Sequence, residues 1–478
     1  MIKYRIIRWI ILVSTLFIAC QSDKTFNSKP NIIFILMDDL GWNNVGFMGS
    51  TYYETPNIDS LAKKGMIFTN AYANGPNCAP SRACILTGQY SPRHGIYTVS
   101  SSERGKSELR KIIPIANKTI LDTNAVTIAE LLKPAGYVCA SIGKWHMGDD
   151  PDYGPLAQGF DINIAGSHVG SPPNGYFAPY KLPYIERAPK DEYLTDRLTK
   201  EAIQFIETNK DKPFFLYLSH YAVHTPLQAP EELVEKYKKK PDPSGKINPI
   251  HAAMLESVDT GIGSIISKLK ESELENKTVI FFFSDNGGVT WITTMAPLRG
   301  GKGMLYEGGI RVPMFAYWPD KIKPGTQCDV PVIGIDFFPT FLELAGVSVP
   351  QDHVIDGISI LPLLQGRQEL VHEALFWHFP AYLEARGHQA EGARDQYFRT
   401  RPGAVVRMGN WKLIEYFEDG ELELYDLQAD LSEKNNVAQQ YPKITKNLLE
   451  IMLQWRKLTG APVPTKRNPD YNPENNDR

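Results

Sequence analysis

The sequence predicts an α/β fold, with a mostly parallel central sheet flanked by helices and a smaller C-terminal α+β subdomain. Continuous apolar runs of strand length, Asn31–Met37 first among them, alternate with helical patterns. A run that is apolar at every position suits a parallel strand buried on both faces. After about Gly366 the pattern changes to short strands separated by turn signals.

The elements follow in order. Thr55 and Pro56 read as the N-cap and first residue of a helix that stops at Gly65. A helix over 126–133 precedes a strand over 137–142, and a helix over 201–208 precedes the strand Phe214–Ser219. A helix over 254–270 leads to the strand Thr278–Ser284, and another strand is expected over 312–318. Strands separated by helices favour a parallel sheet. Beyond it, strands over 404–408, 411–417 and 422–425 are divided by Gly409-Asn410 and Asp419-Gly420, and a helix over 443–458 follows. The expected units are an α/β domain over 30–366 and an α+β subdomain over 367–478. The Pro- and Asn-rich end, 465–478, is expected to wrap the surface or fray.

Composition narrows the function classes. The net charge is -3, from 51 basic and 54 acidic residues, which gives no basic footprint for nucleic acid. Lys3, Arg5 and Arg8 precede an apolar run over 9–19, too short for a typical spanning helix and suited to a signal peptide over 1–20. Ala19-Cys20 followed by polar residues resembles a bacterial lipoprotein signal with a lipid anchor at Cys20, although Phe17 stands where Leu is usual. Simple cleavage for secretion is the alternative. Either way the chain is expected outside the cytoplasm, in the periplasm or anchored at the cell surface. Five cysteines in a chain of this size do not make a disulfide scaffold, and Cys84, Cys139 and Cys328 read as small buried residues.

Chemistry-bearing residues cluster just after the strands. Asp38 and Asp39 follow the first, Lys144 and His146 the second, His220 and His224 the third, and Asp285 and Asn286 the fourth. Ligands of open α/β sheets bind beyond the carboxyl ends of the strands. Asp38, Asp39, Asp285 and Asn286 offer only oxygen, which suits a hard cation. A single Asp there is commonly a turn or cap residue, but two strands each end in adjacent oxygen donors. Pro80 suits a first helical turn and so places Cys78 at a helix N-terminus, where an anion is favoured. Arg82 lies one turn along. These residues alone leave a reactive and a merely buried Cys78 equally open. Ala296 and Gly303 rule out a phosphate loop around Gly300-Gly301-Lys302.

Cys78-Ala79-Pro80-Ser81-Arg82, continuing to Gly88, resembles the signature of the formylglycine-dependent sulfatases of the alkaline phosphatase superfamily. The segment from Gly136 to His146 resembles the second signature of that family, with Cys139 where Ser or Thr is usual. Further likeness lies in Asn31 to Gly41, in Ser284 to Gly288, and in Leu298 to Pro313. The resemblance implies an alkaline phosphatase-like fold and a sulfuric ester hydrolase. It implies that a maturation enzyme oxidises Cys78 to formylglycine, whose hydrate attacks sulfur. Asp38, Asp39, Asp285 and Asn286 would bind Ca²⁺ together with residue 78. Lys144 and Lys302 would hold the sulfate oxygens, and Arg82 would steady residue 78. His224 would protonate the leaving alcohol, and His146 would take the second hydroxyl proton so that the aldehyde reforms. His220 carries no implied role and reads as structural.

Substrate choice is expected outside the sulfate site. Between the two units, Trp377, His378, Tyr382, Arg386, His388, Arg399 and Arg401 offer aromatic and cationic groups. Trp377, His378, Arg386 and Arg399 are the candidates for sugar binding, against an ordinary interdomain loop. Similar stretches in bacterial family members point to a sulfated carbohydrate, with galactose- or N-acetylgalactosamine-type sugars as a narrower expectation. The rivals are a phosphoester or phosphonate hydrolase of the same superfamily and a catalytically silent glycan-binding homologue. Retention of Cys78, Arg82, Lys144, His146, His224 and Lys302 argues against the silent form.

Overall fold

The computed structural model describes residues 29–475 apart from 186, 187, 368, 370, 371 and 386. The signal segment with Cys20, and Arg386, lie outside the described residues. The main sheet has eight strands in the order Ile162–Ile164, Val138–Gly143, Phe214–Ser219, Asn31–Met37, Thr278–Ser284, Met314–Tyr317, Met66–Phe68 and Thr326–Cys328. Only Met314–Tyr317 runs against its neighbours. The other pairings are parallel.

The three central strands have the predicted bounds, and every residue in them is buried. Their apolar side chains point both ways and so demand cover on both faces. Ile33, Ile35 and Met37 pack with Leu198 and Phe205 of helix Leu194–Thr208 and with Leu255 and Ile262 of helix Pro249–Glu271. Ile32, Phe34 and Leu36 pack under helix Phe337–Ala345, where the Phe34 ring lies 4.6 Å from that of Phe337.

Two helices start earlier than their apolar pattern predicts. Pro249–Glu271 begins at its Asn248 cap, whose side chain accepts from the Ile250 N–H, with Pro249 in the first turn. Helix Leu194–Thr208 gains about two turns over the expectation, with Leu194 and Leu198 continuing its buried stripe. The expected helix over 126–133 is a short one, Ile128–Leu132, opened by a Thr127–Glu130 capping box. Cys139, the departure from the second signature, is fully buried on the sheet, with Sγ 3.9 Å from the Ala129 carbonyl of that helix.

The C-terminal unit is a four-stranded antiparallel sheet, Leu375–Phe379, Gly403–Met408, Trp411–Tyr416 and Leu422–Asp426, covered by helix Pro442–Thr459. The chain end wraps the surface through Asn475. Asn468 N–H donates to Lys111 O at 3.0 Å, and Asn472 N–H to Glu108 O at 2.9 Å.

The strand Leu375–Phe379 was not expected, and it corrects two candidate sugar contacts. Trp377 is 1% exposed, packs on Tyr72, and donates its indole N–H to Ala73 O at 2.8 Å. His378 is 4% exposed, with Nε2 2.9 Å from Pro462 O. Pairing with Gly403–Met408 sends Trp377 into the packing between the units and His378 to the opposite face, against Tyr97, Phe417 and Trp455, and neither lines the active-site cavity.

Burial has a consequence for stability. It holds the His378 and His94 imidazoles neutral, each with its pKa pushed down to about 3. The unfolded chain binds protons at these histidines from its ordinary pKa of 6.5 downwards, and the folded chain does not until about 3. Their contribution is therefore full above 6.5 and declines as pH falls through that window. The slope approaches about 1.4 kcal/mol per pH unit per histidine. Urea midpoints measured between neutral and acid pH are expected to fall with acid, and less steeply in His378→Gln.

Candidate active site

The carboxyl ends of the central strands meet the N-terminus of helix Cys78–Thr87 and the loop that carries Lys302. Asp39 and His146 hold left-handed backbone, with φ of 61° and 70°, uncommon for residues other than glycine and informative where function is sought. Gly143, with φ 108°, ends its strand against Ser219, and a Cβ there would lie 1.8 Å from the Ser219 carbonyl. That close approach lets Lys144 N–H donate to Ser219 O at 2.7 Å, fixing where the lysine leaves the sheet.

The floor is a closed ionic set. Arg82 is fully buried, donating Nε to Asp285 Oδ2 at 2.8 Å and Nη1 to Lys144 O at 2.9 Å. Its Nη1 also donates to Ser219 Oγ. Lys144 Nζ lies 2.6 Å from Asp38 Oδ2, and Lys302 Nζ lies 2.6 Å from Asp39 Oδ1. Asn286 Nδ2 donates to Asp39 Oδ1 at 2.9 Å. Cys78 Sγ sits 3.3 Å from His146 Nδ1. His224 places Nδ1 2.7 Å from the Thr225 carbonyl and Nε2 3.7 Å from Asp39 Oδ2. The structure thus gathers every predicted catalytic and metal residue in one place. Lys144 and Arg82 lie beneath the floor, whereas Cys78, His146, His224 and Lys302 face a cavity of about 710 Å³.

Burial dominates the electrostatics. It raises the proton affinity of Asp38, and it pushes Asp285 up to about 6 against the pull of Arg82. Asp39, although equally buried, is held well below the usual carboxylate range by Lys302 and then His224. His224 is pushed down to about 3 by desolvation and then by Lys302. With Nδ1–H given to Thr225, its Nε2 is left as the acceptor.

The donor set fits a hard divalent cation. Asp38 Oδ1 and Asn286 Oδ1 are buried without a hydrogen-bond partner among the described residues. Ligand atoms of Asp38, Cys78 and Asp285 lie within 4.8 Å of one another. Unpartnered buried oxygens converging with carboxylates are what a cation of this class requires.

Residues 30–347 match the model of the Sulfatase family, more than half of the chain. The chain belongs to the sulfatase family. Residues 301–458 of this sulfatase also match a model described as N-sulphoglucosamine sulphohydrolase, C-terminal, which spans the Lys302 loop and the antiparallel sheet. The chain is similar to a sulfatase of Formosa agariphila, 32% identical over 92% of this chain and 90% of that protein. It is similar to the N-acetylgalactosamine-6-O-sulfatase of Bacteroides thetaiotaomicron, 31% identical over 90% and 94%. Among solved structures it resembles Ps i-CgsB in complex with k-i-k-neocarrahexaose, with a TM-score of 0.73, 32% identity, and coverage of 90% and 93%. As a sulfatase it is a sulfuric ester hydrolase.

Of the expected sugar contacts in the described residues, only Arg399 reaches the cavity wall. Sequence reasoning missed Trp291 and Arg104 on the same wall. Trp291 lies on the loop leaving the strand that supplies Asp285 and Asn286, a position that could have flagged it. Arg104 sits in an irregular segment with no periodic signal.

Proposed function

We propose that this sulfatase removes sulfate from carbohydrates, using formylglycine made from Cys78 by a maturation enzyme and Ca²⁺ held by Asp38, Asp39, Asp285 and Asn286. The cavity carries the reading. Its floor offers cations and imidazoles for a sulfate, and its wall presents Trp291, 39% exposed, as a flat apolar face of the kind sugars stack on. The names of the Bacteroides relative and of the neocarrahexaose complex support a sugar as the carrier.

Formylglycine supplies a nucleophilic oxygen as its hydrate, and a bound divalent cation acidifies that oxygen and neutralises sulfate charge. The chain's own residues do the rest. Arg82, locked by Asp285 and Ser219, keeps the first turn of its helix, and so residue 78, in place. Lys302, 12% exposed at its side chain, meets the sulfate oxygens from the cavity side, and Lys144 adds positive charge from below. His146 stands at residue 78 as proton acceptor. His224 Nε2 faces the leaving oxygen. A sulfate monoanion placed beside it restores the proton affinity that burial and Lys302 remove. Export to the periplasm or cell surface, with or without lipid at Cys20, belongs to the same reading.

The test is release of inorganic sulfate from sulfated mono- and disaccharides, beside phosphate release from the matching phosphomonoesters, with protein from its native host. Sulfate release from sugars is expected. Phosphate release without sulfate would move the protein to the phosphoester reading. Chelation followed by dialysis is expected to abolish hydrolysis and to lower the melting temperature, and added Ca²⁺ to restore both. Restoration by Mg²⁺ alone would contradict the choice of calcium.

A further inference from the structure

We propose that Arg399 and Arg104 form a second anion subsite, so that the preferred substrate carries another negative group, a carboxylate or a second sulfate, near the sulfate being removed. This deepens, and rests on, the carbohydrate reading.

Arg399 belongs to the short strand Phe398–Thr400, whose partner Leu383–Glu384 crosses the cavity rim. Its stem runs over Gly303, the residue after Lys302. A Cβ built there would lie 3.5 Å from both Cδ and Nε of Arg399. The second cation therefore stands beside the loop that presents Lys302 to the sulfate. Its Nε donates to Glu384 O at 3.1 Å, which orients the guanidinium, and its Cζ lies 5.8 Å from the Trp291 ring centre.

The charges on this wall do not cancel. Lys302 has Asp39, and Arg104 has Glu384, at 2.8 Å from Nε. Arg399 has no carboxylate partner among the described residues, although it is only 8% exposed. A nearly buried cation without a counter-ion is costly unless one arrives. Burial and then Arg104 pull its proton affinity down to about 10, against the weaker opposing pull of Glu384 and Asp39, neither of which pairs with it directly. An anion bridging the two guanidiniums would give Arg399 its counter-ion and share Arg104 with Glu384. Arginine pairs suit carboxylate and sulfate oxygens because their donors are planar and forked. With Trp291 beside them, the wall offers stacking for a ring and charge for a group on that ring or the next.

The experiment compares kcat/KM for three sulfated disaccharides that share the scissile sulfate. One has a neutral neighbouring sugar, one a uronate, and one a second sulfate. Wild type is expected to prefer at least one dianionic substrate by about tenfold or more, as for a charge-assisted bidentate contact. The uronate and disulfate arms tell which anion fits. Arg399→Ala and Arg104→Ala are expected to bring that ratio close to one, chiefly through KM. Glu384→Gln, which removes the competing carboxylate, is expected to increase the ratio. A purely structural role would lower all three rates together and leave the ratio unmoved. Equal rates for the three substrates in wild type would overturn the subsite alone. No sulfate from any of them, with residue 78 converted, would overturn the carbohydrate reading beneath it.

Discussion

Lys412→Met is expected to lower unfolding stability by about 3–5 kcal/mol, the cost of leaving a buried carboxylate without its counter-ion. Lys412 is fully buried between the two units, 3.0 Å from Glu307 and 2.8 Å from Glu433. Glu307 has other support, accepting from Tyr72 OH at 2.7 Å and pairing with Arg311 at 3.5 Å. Glu433 depends on Lys412, and burial already pushes its carboxyl up to about 7. It also accepts the Glu307 N–H at 2.6 Å, so the cluster ties the C-terminal unit to the segment that follows Lys302. Adding Glu433→Gln to Lys412→Met is expected to recover part of the loss, since a neutral amide needs no counter-charge. Urea unfolding of the two single variants and the double variant measures the coupling. A Lys412→Met loss below about 1 kcal/mol, the range of exposed pairs, would contradict this account of the interface.

Lys302→Ala is expected to reduce kcat by about 10²–10³, the scale on which removing one preorganised donor acts. Lys302 lines the cavity, and Asp39 fixes its ammonium from two oxygens, at 2.6 and 2.8 Å. Charge placed before substrate arrives stabilises a transition state without reorganisation. Steady-state kinetics on a sulfated monosaccharide check it. A rise in KM with kcat unchanged would make Lys302 a binding group only.

The sheet and the floor of the site were legible in the sequence for one physical reason. Strands buried on both faces are continuous apolar runs, and the first polar residues after them emerge where ligands bind. Asp38, Asp39, Lys144, His146, Asp285 and Asn286 could be placed this way. Cys78 followed from Pro80 and the helix start, and the separated motifs tied it to its chemistry.

The cavity wall was less legible because it is built from irregular segments. Leu375, Trp377 and Phe379 alternate into the packing between units, but an aromatic- and cation-rich stretch reads equally well as an exposed loop. Arg399 differs only in lying on a two-stranded ribbon whose Phe398 faces inward. Arg104 and Trp291 are held by contacts far along the chain, such as Arg104 with Glu384, and distant pairing leaves no mark on local sequence.

The most direct test of the central claim compares the state of residue 78 with activity. Preparations made with graded amounts of maturation enzyme would be assayed for sulfate release, and the peptide containing residue 78 weighed by mass spectrometry. Activity is expected to rise in proportion to the fraction of chains carrying formylglycine and to vanish in Cys78→Ala. Sulfate release from fully unconverted protein at the same rate would contradict the claim.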